Sequence, residues 1–402
     1  MGLRLRAQSK ANQRAHRVFG LTVELEVSAL RNLWIWLATV VLATTVSWSA
    51  STIVGWDFEQ GMGQWQSPDP LTKITLAVGP KEANSGSSAL YVKFPRIQKP
   101  DEMQTRQMPG AVMMQLPAAP APAPTCLEFA VRAKLLTPLM IILSRNDGVS
   151  YTRPVMVVPG PYRHVKLYLT EFLPDEKAKP PVRPIDGGQI QGIGFLDGSA
   201  FVTMFATAAA QNGPIRVPMP QQGDNELWFD DIKLTDETPP AQLPPMIDGA
   251  AEVAKFVAVM NVDGTFSREP AGLGGKPCWL MNYQLAEHEV AAIWGGVPIG
   301  MLPGTAGLHV MLSATAPTTL ILQVKERSNA EYNTMLALQP GQTLDRVVPW
   351  SEFKLGDNQQ DPDGKLDLDD IKEVALIDIS AALPNGQPQA NGLRLGIVEP
   401  AR

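Results

Sequence analysis

The sequence predicts an all-β chain of two tandem antiparallel β-sandwiches, each of jelly-roll topology, behind an N-terminal apolar helix. Three observations predict it. Residues 126–197 overlay residues 307–378 at a constant offset of 181 without a gap, giving 13 identical pairs in 72. Within the strand segments many of the remaining pairs exchange one apolar residue for another at the same parity, as a shared set of strands requires. Charged residues are only 18%, while Pro (36) and Gly (33) are plentiful, a balance that suits strands and turns better than helices. Few stretches carry a 3.6-residue period. A repeat this long is a whole domain rather than a solenoid unit, and 402 residues leave room for two domains that each bury a core.

Residues 1–50 form a basic region followed by an apolar one. Arg4, Arg6, Lys10, Arg14, Arg17 and Arg31 oppose only Glu24 and Glu26, and Leu33 to Val46 is an almost unbroken apolar run. This is the layout of a secretory signal, with Ser47 and Ser49 at the −3 and −1 positions of a cleavage site. Extending the run over residues 33–54 gives a length that spans a membrane with the basic side in the cytoplasm. Both readings place the protein outside the cytoplasm, in the periplasm, at the cell surface or secreted, and in the second it stays anchored in the inner membrane. The formal net charge is −6, and the first 50 residues carry six basic and two acidic groups, so the remainder carries −10. Such a surface repels nucleic acid.

The first sandwich is expected over residues 51–236 and the second over 246–402, joined by a stiff, Pro-rich linker at 237–245. Strand parity is legible in both. Leu127, Phe129, Val131 and Ala133 share one face, matched by Leu308, Val310, Leu312 and Ala314, while Glu128, Arg132, His309 and Ser313 fall on the other. The next strand repeats this with Leu139, Ile141 and Leu143 against Leu320, Leu322 and Val324, leaving Gln323, Lys325 and Arg327 opposite the core. Leu90, Val92 and Phe94 leave Tyr91 and Lys93 outward, and the equivalent alignment sends Trp279, Met281 and Tyr283 inward. Cys126 and Cys278 fall at non-equivalent places and read as two buried thiols.

Several of these segments carry a family resemblance. Trp56-Asp-Phe-Glu59 followed by Trp65, Ser85-Gly-Ser-Ser-Ala-Leu-Tyr-Val92, Ile190-Gln-Gly-Ile-Gly-Phe195 and Leu227-Trp-Phe-Asp-Asp-Ile-Lys-Leu234 resemble galactose-binding-like jelly rolls. They are similar to family 11 carbohydrate-binding modules and to the complex I intermediate-associated protein family. Val347-Val-Pro-Trp-Ser-Glu-Phe353 and Leu366-Asp-Leu-Asp-Asp-Ile371 make the second domain a drifted copy. The resemblance implies glycan binding, or protein partners in an assembly role. It also implies a structural calcium between the first and last strands, with Glu59, Asp230 and Asp231 as its carboxylates.

No catalytic constellation is visible: GxSxG, HExxH, Walker and CxxC patterns are absent, so a non-catalytic binding protein is expected. Sugar binding needs an exposed ring to stack on a pyranose and polar side chains for its hydroxyls. Tyr151 and Tyr332, retained in both copies beside a polar turn, are the paired candidates, with Tyr91 a further outward ring and Arg132, Arg145, Gln323 and Lys325 as polar neighbours. The run Asp361-Pro-Asp-Gly-Lys-Leu-Asp-Leu-Asp-Asp370 fits an EF-hand loop except at its first position. Asp367 matches Asp186 in the first copy, which points to a turn or strand entry that both copies need.

Overall fold

In this computed structural model the described residues are 50–402, apart from 100, 179–180, 213, 358 and 362. The expected signal or anchor and its apolar helix lie outside them. Among the described residues no helix is long and apolar enough to cross a membrane.

The described residues form one compact unit, nearly all β. The first half contains β1 (Thr52–Trp56), β2 (Lys73–Val78), β3 (Ser88–Pro95), β4 (Val112–Gln115), β5 (Cys126–Ala133), β6 (Thr137–Arg145), β7 (Ser150–Val157), β8 (Arg163–Tyr168), β9 (Leu173–Pro174), β10 (Ile190–Asp197) and β11 (Asp224–Thr235). Helix α1 (Ser199–Asn212) stands between β10 and β11. The second half contains β12 (Ile247–Asp248), β13 (Val257–Val259), β14 (Thr265–Leu273), β15 (Lys276–Leu285), β16 (Ala291–Gly296), β17 (Gly307–Ala314), β18 (Thr318–Glu326), β19 (Glu331–Leu338), β20 (Thr343–Pro349), β21 (Lys354–Leu355), β22 (Ile371–Asp378) and β23 (Gln389–Ala401). β5, β6, β7, β9 and β10 have the same bounds as β17, β18, β19, β21 and β22 once 181 is added.

The strands make four small antiparallel sheets. The first is β2-β3-β11-β5-β8 with β1 on β11, and the second β4-β10-β6-β7-β9. The third is β14-β15-β23-β17-β20 with β12 on β23, and the fourth β13-β16-β22-β18-β19-β21. Alternation dictates the packing. The even-spaced apolar residues of β3, β5 and β11 meet those of β6, β7 and β10 in one core, centred on the stacked Phe195 and Phe229 with Phe129 edge-on. A second core joins the third and fourth sheets, with Trp279 stacked on Phe266. Trp279, Met281 and Tyr283 point inward, as parity requires. Cys126 and Cys278 are free and buried.

Each core contains the same polar knot. In the first half Asn225 Nδ2 donates to Asp197 Oδ2 at 2.9 Å and to Thr137 Oγ1 at 2.9 Å, and Arg96 Nε donates to Asp197 Oδ2 at 2.9 Å. In the second, Asn391 Nδ2 donates to Thr318 Oγ1 at 2.8 Å and Asp378 Oδ2 at 3.3 Å, and the Tyr283 hydroxyl donates to Asp378 at 2.6 Å. The matched Thr137/Thr318 and Asp197/Asp378 pairs thus tie facing sheets together. A buried carboxylate is stable only when its oxygens are filled in this way.

The halves also exchange parts. Met156 of β7 belongs to the second core and Val253 to the first. Met156 N donates to Ala254 O at 2.7 Å, and the fully buried Arg153 crosses to Gly296 O at 2.9 Å. Lys255 Nζ grips both oxygens of Glu171 at 2.9 Å, and Glu171 is itself completely buried beside Arg153. Helix α1 lays Val202 and Ala206 on Val259, Val290, Trp294 and Ile377 of the second half.

Candidate functional site

The seven residues expected to bind a ligand separate into four places. Tyr91 and Arg132 lie on the outer face of the first sheet, Arg145 and Tyr151 at a groove beside the β6–β7 turn, and Gln323 and Lys325 on the outer face of the fourth sheet. Tyr332 lies inside the second core.

The expectation that Tyr151 and Tyr332 present stacking rings is corrected. They are 2% and 4% exposed, because Tyr151 shares the inward parity of Val155 and Val157, and Tyr332 that of Leu336 and Leu338. Only their hydroxyls approach the surface: Tyr151 donates to Arg183 O at 3.1 Å, and Tyr332 donates to the Asp361 carboxylate. Nor are Gln323 and Lys325 neighbours of the Tyr332 ring. Tyr332 pairs with the inward Val324, so its two flanking partners point to the opposite side of the sheet.

On the first sheet one rung runs Thr75, Tyr91, Trp228 and Arg132 across four strands, with Tyr162 next to it. Tyr91 and Trp228 rings are 5.1 Å apart, and the Arg132 guanidinium sits 4.1 Å above the Trp228 centroid. Arg132 is in turn held by Glu82 at 2.8 Å and by Lys81 O at 3.0 Å, and the Tyr162 hydroxyl donates to Glu82 O. Burial, with the Glu226 carboxylate next in effect, pushes the Tyr91 hydroxyl up to about 12. This is a closed cation–π stack whose best ring face is already covered by Arg132. Trp228 and Tyr162 were missed as members of the rung, although Leu227 and Phe229 in the core force Trp228 outward.

The carboxylates expected to hold calcium are spent on one loop. Glu59 Oε1 accepts from Ser87 N and Ser88 N, and Oε2 from the Ser87 hydroxyl. Asp230 Oδ2 accepts from Asn84 N and Ser85 N, while Asp231 accepts from the Asn84 amide and the Ser85 hydroxyl. The Ser87 amide and hydroxyl hold the Glu59 carboxyl below its ordinary range, whereas burial raises Asp230. Among the described residues no three His, Cys, Asp or Glu side chains are grouped to hold a metal. In the acidic run, Asp186 and Asp367 do the same job in both copies, each accepting from the backbone amide two residues on.

The outer face of the fourth sheet carries a further candidate rung. Its central outer rung is Val257, Trp294, Ala375, Gln323, Asn333 and Lys354 across all six strands. The adjacent rung sets Glu373, Lys325 and Glu331 side by side. Gln323 Nε2 donates to Asn333 Oδ1 at 3.0 Å and Glu331 Oε2 at 3.2 Å, and Lys325 Nζ to Glu331 Oε1 at 2.8 Å. Burial raises the Glu373 pKa. Trp294 is half-buried and met edge-on by Phe205 of α1, their centroids 5.7 Å apart. Beyond it Phe205 is 52% and Met335 62% exposed. Ala375 is buried between Trp294 and Gln323, so the rung is low in the middle. An indole beside amide, ammonium and carboxylate groups combines a stacking surface with donors and acceptors for hydroxyls. Trp294 lies outside the overlaid segments, so the repeat gave no signal for it.

No protein-family model matches the chain, and no curated protein matches it. Among solved structures the chain is similar to the family 11 carbohydrate-binding module of the cellulosomal cellulase Lic26A-Cel5E of Clostridium thermocellum, at 13% identity over 40% of this chain and 96% of that one, with a TM-score of 0.31. A family 11 module from the same organism, in complex with a β-1,3-1,4-mixed-linked tetrasaccharide, is 14% identical over 39% and 94%, with a TM-score of 0.30. The N-terminal CBM22-1-CBM22-2 tandem domain from Paenibacillus barcinonensis Xyn10C is 10% identical over 82% and 97%, with a TM-score of 0.28.

Proposed function

We propose that this is an exported, non-catalytic glycan-binding protein built from two tandem jelly-roll sandwiches of the galactose-binding-like kind, at residues 51–236 and 246–402. The reading of two sandwiches, rather than four blades around an axis, rests on the cores. The apolar faces of the first and second sheets share one core and those of the third and fourth share another, with Met156 and Val253 exchanged between them, and the Asp–Asn–Thr knot recurs inside each pair.

One observation carries the function: Trp294 lies in a shallow outer rung beside Gln323, Asn333, Lys325 and Glu331, with α1 as a wall. A pyranose laid on the indole would set its hydroxyls against that polar row. Retardation in native gels cast with soluble polysaccharides tests it: the full chain is slowed by at least one polysaccharide, and Trp294→Ala restores its mobility. Equal mobility of wild type and variant in every gel contradicts the proposal. A structural calcium at Glu59, Asp230 and Asp231 would have to displace the Asn84, Ser85, Ser87 and Ser88 donors that these carboxylates hold. There, calcium would raise the melting temperature of the wild type but not of Asp231→Ala.

A second reading has its own support. Phe201, Met204 and Phe205 form an exposed apolar strip on α1, 52%, 44% and 52% exposed, which favours a protein partner in an assembly role.

A further inference from the structure

We propose that the groove beside the β6–β7 turn binds an oxyanion, the carboxylate or sulfate of a larger acidic solute. The groove offers about 420 Å³, within the range of small-molecule sites, and is lined by Arg145, Asp147, Val149, Tyr151, Lys177 and Arg183 among others. Three cationic side chains there face one carboxylate, on a chain whose net charge is −6. Asp147 is already engaged, with Oδ2 at 2.7 Å from Arg145 Nη2 and Oδ1 accepting from Val149 N at 3.1 Å. The flanking Asp175 is consumed by the backbone amides of Ser150 and Lys177. Lys177 and Arg183 are exposed and form no ion pair among the described residues.

Arg145 is the least exposed of the three cations. Its Nε is buried without a hydrogen-bond partner, and its Nη1 reaches only the Tyr151 hydroxyl at 3.4 Å. That hydroxyl spends its proton on Arg183 O, which pins the 183 backbone over the floor. Arg327 of the second half lies within electrostatic reach of Tyr151, and burial lowers its pKa despite the help of Asp370. Positive charge is therefore concentrated and partly desolvated here, the condition under which a guanidinium–oxyanion contact is strongest. The proposal is independent of the fourth-sheet reading, since the two sites share no residue.

Calorimetric titration of the full chain with oligogalacturonate, carrageenan oligosaccharide and neutral maltohexaose tests it. One acidic oligosaccharide, carboxylated or sulfated, is expected to bind at least about tenfold more tightly than maltohexaose, with affinity falling as NaCl rises. The double variant K177Q and R183Q, altered only at exposed positions, removes that advantage while its melting temperature stays unchanged. Acidic oligosaccharides binding no better than maltohexaose overturn the proposal. So does undiminished, salt-sensitive binding by the double variant. Binding at Trp294 is read separately, because Trp294→Ala leaves the acid-selective signal intact.

Discussion

Asp197 shows how a single residue can be indispensable without being functional. It accepts from Arg96 and Asn225 in a place where neither donor can reach water, since Arg96 and Asn225 are themselves buried. Asp197→Ala leaves the Arg96 guanidinium stranded, and a loss of about 3–5 kcal/mol is expected in urea unfolding. Asp378→Asn, facing a neutral tyrosine hydroxyl, costs less. His309 behaves differently because its partners are at the surface. Asp345 at 2.7 Å, and then Glu399 at 3.1 Å, raise its pKa above the ordinary 6.5. A raised folded pKa means stabilisation that is complete below the unfolded value and lost as pH rises through the folded one. The stability gap between wild type and His309→Gln is therefore present at about pH 5.5 and closed at about pH 9.

At the scale of elements, what the sequence reveals depends on periodicity. Five strands in each copy fall at the same offset of 181, so parity read from Leu127, Phe129 and Val131 fixed which faces are buried. The same rule, applied to Ser150–Val157, places Tyr151 with Val155 and Val157 inside. Retention in both copies was therefore a signal of packing, not of binding. What periodicity could not supply is a contact between segments far apart in sequence. Trp294 becomes a candidate only because α1 packs beside it and β18 brings Gln323 two strands away. Helix α1 itself has no 181-residue counterpart and too little polar periodicity to read as amphipathic. Turns follow steric logic: a Cβ on Gly187 would lie 1.9 Å from Pro124 O, a backbone atom that cannot yield. Gly187→Ala is expected to cost at least about 1–3 kcal/mol, measured by thermal unfolding, although nothing apolar is lost.

The whole molecule behaves as one unit because its halves interpenetrate. Met156 completes the second core, Val253 completes the first, and the Arg153–Glu171–Lys255 group bridges them, with Arg153 and Glu171 fully buried and Lys255 half-buried. Scanning calorimetry of the wild type should give one transition. Glu171→Ala, which strands Arg153, should lower it and separate it into two. A rigid pair of halves also fixes the outer faces of the first and fourth sheets as separate platforms, the first with Trp228 under Arg132 and the fourth with Trp294 half-buried against Phe205. On the proposed function Trp294 carries glycan recognition, while Trp228 packs beneath Arg132. A glycan array probed with wild type, Trp294→Ala and Trp228→Ala tests that assignment most directly. The predicted result is a glycan signal that Trp294→Ala abolishes and Trp228→Ala leaves in place. No signal from folded wild type, or a signal lost in Trp228→Ala and kept in Trp294→Ala, would contradict it.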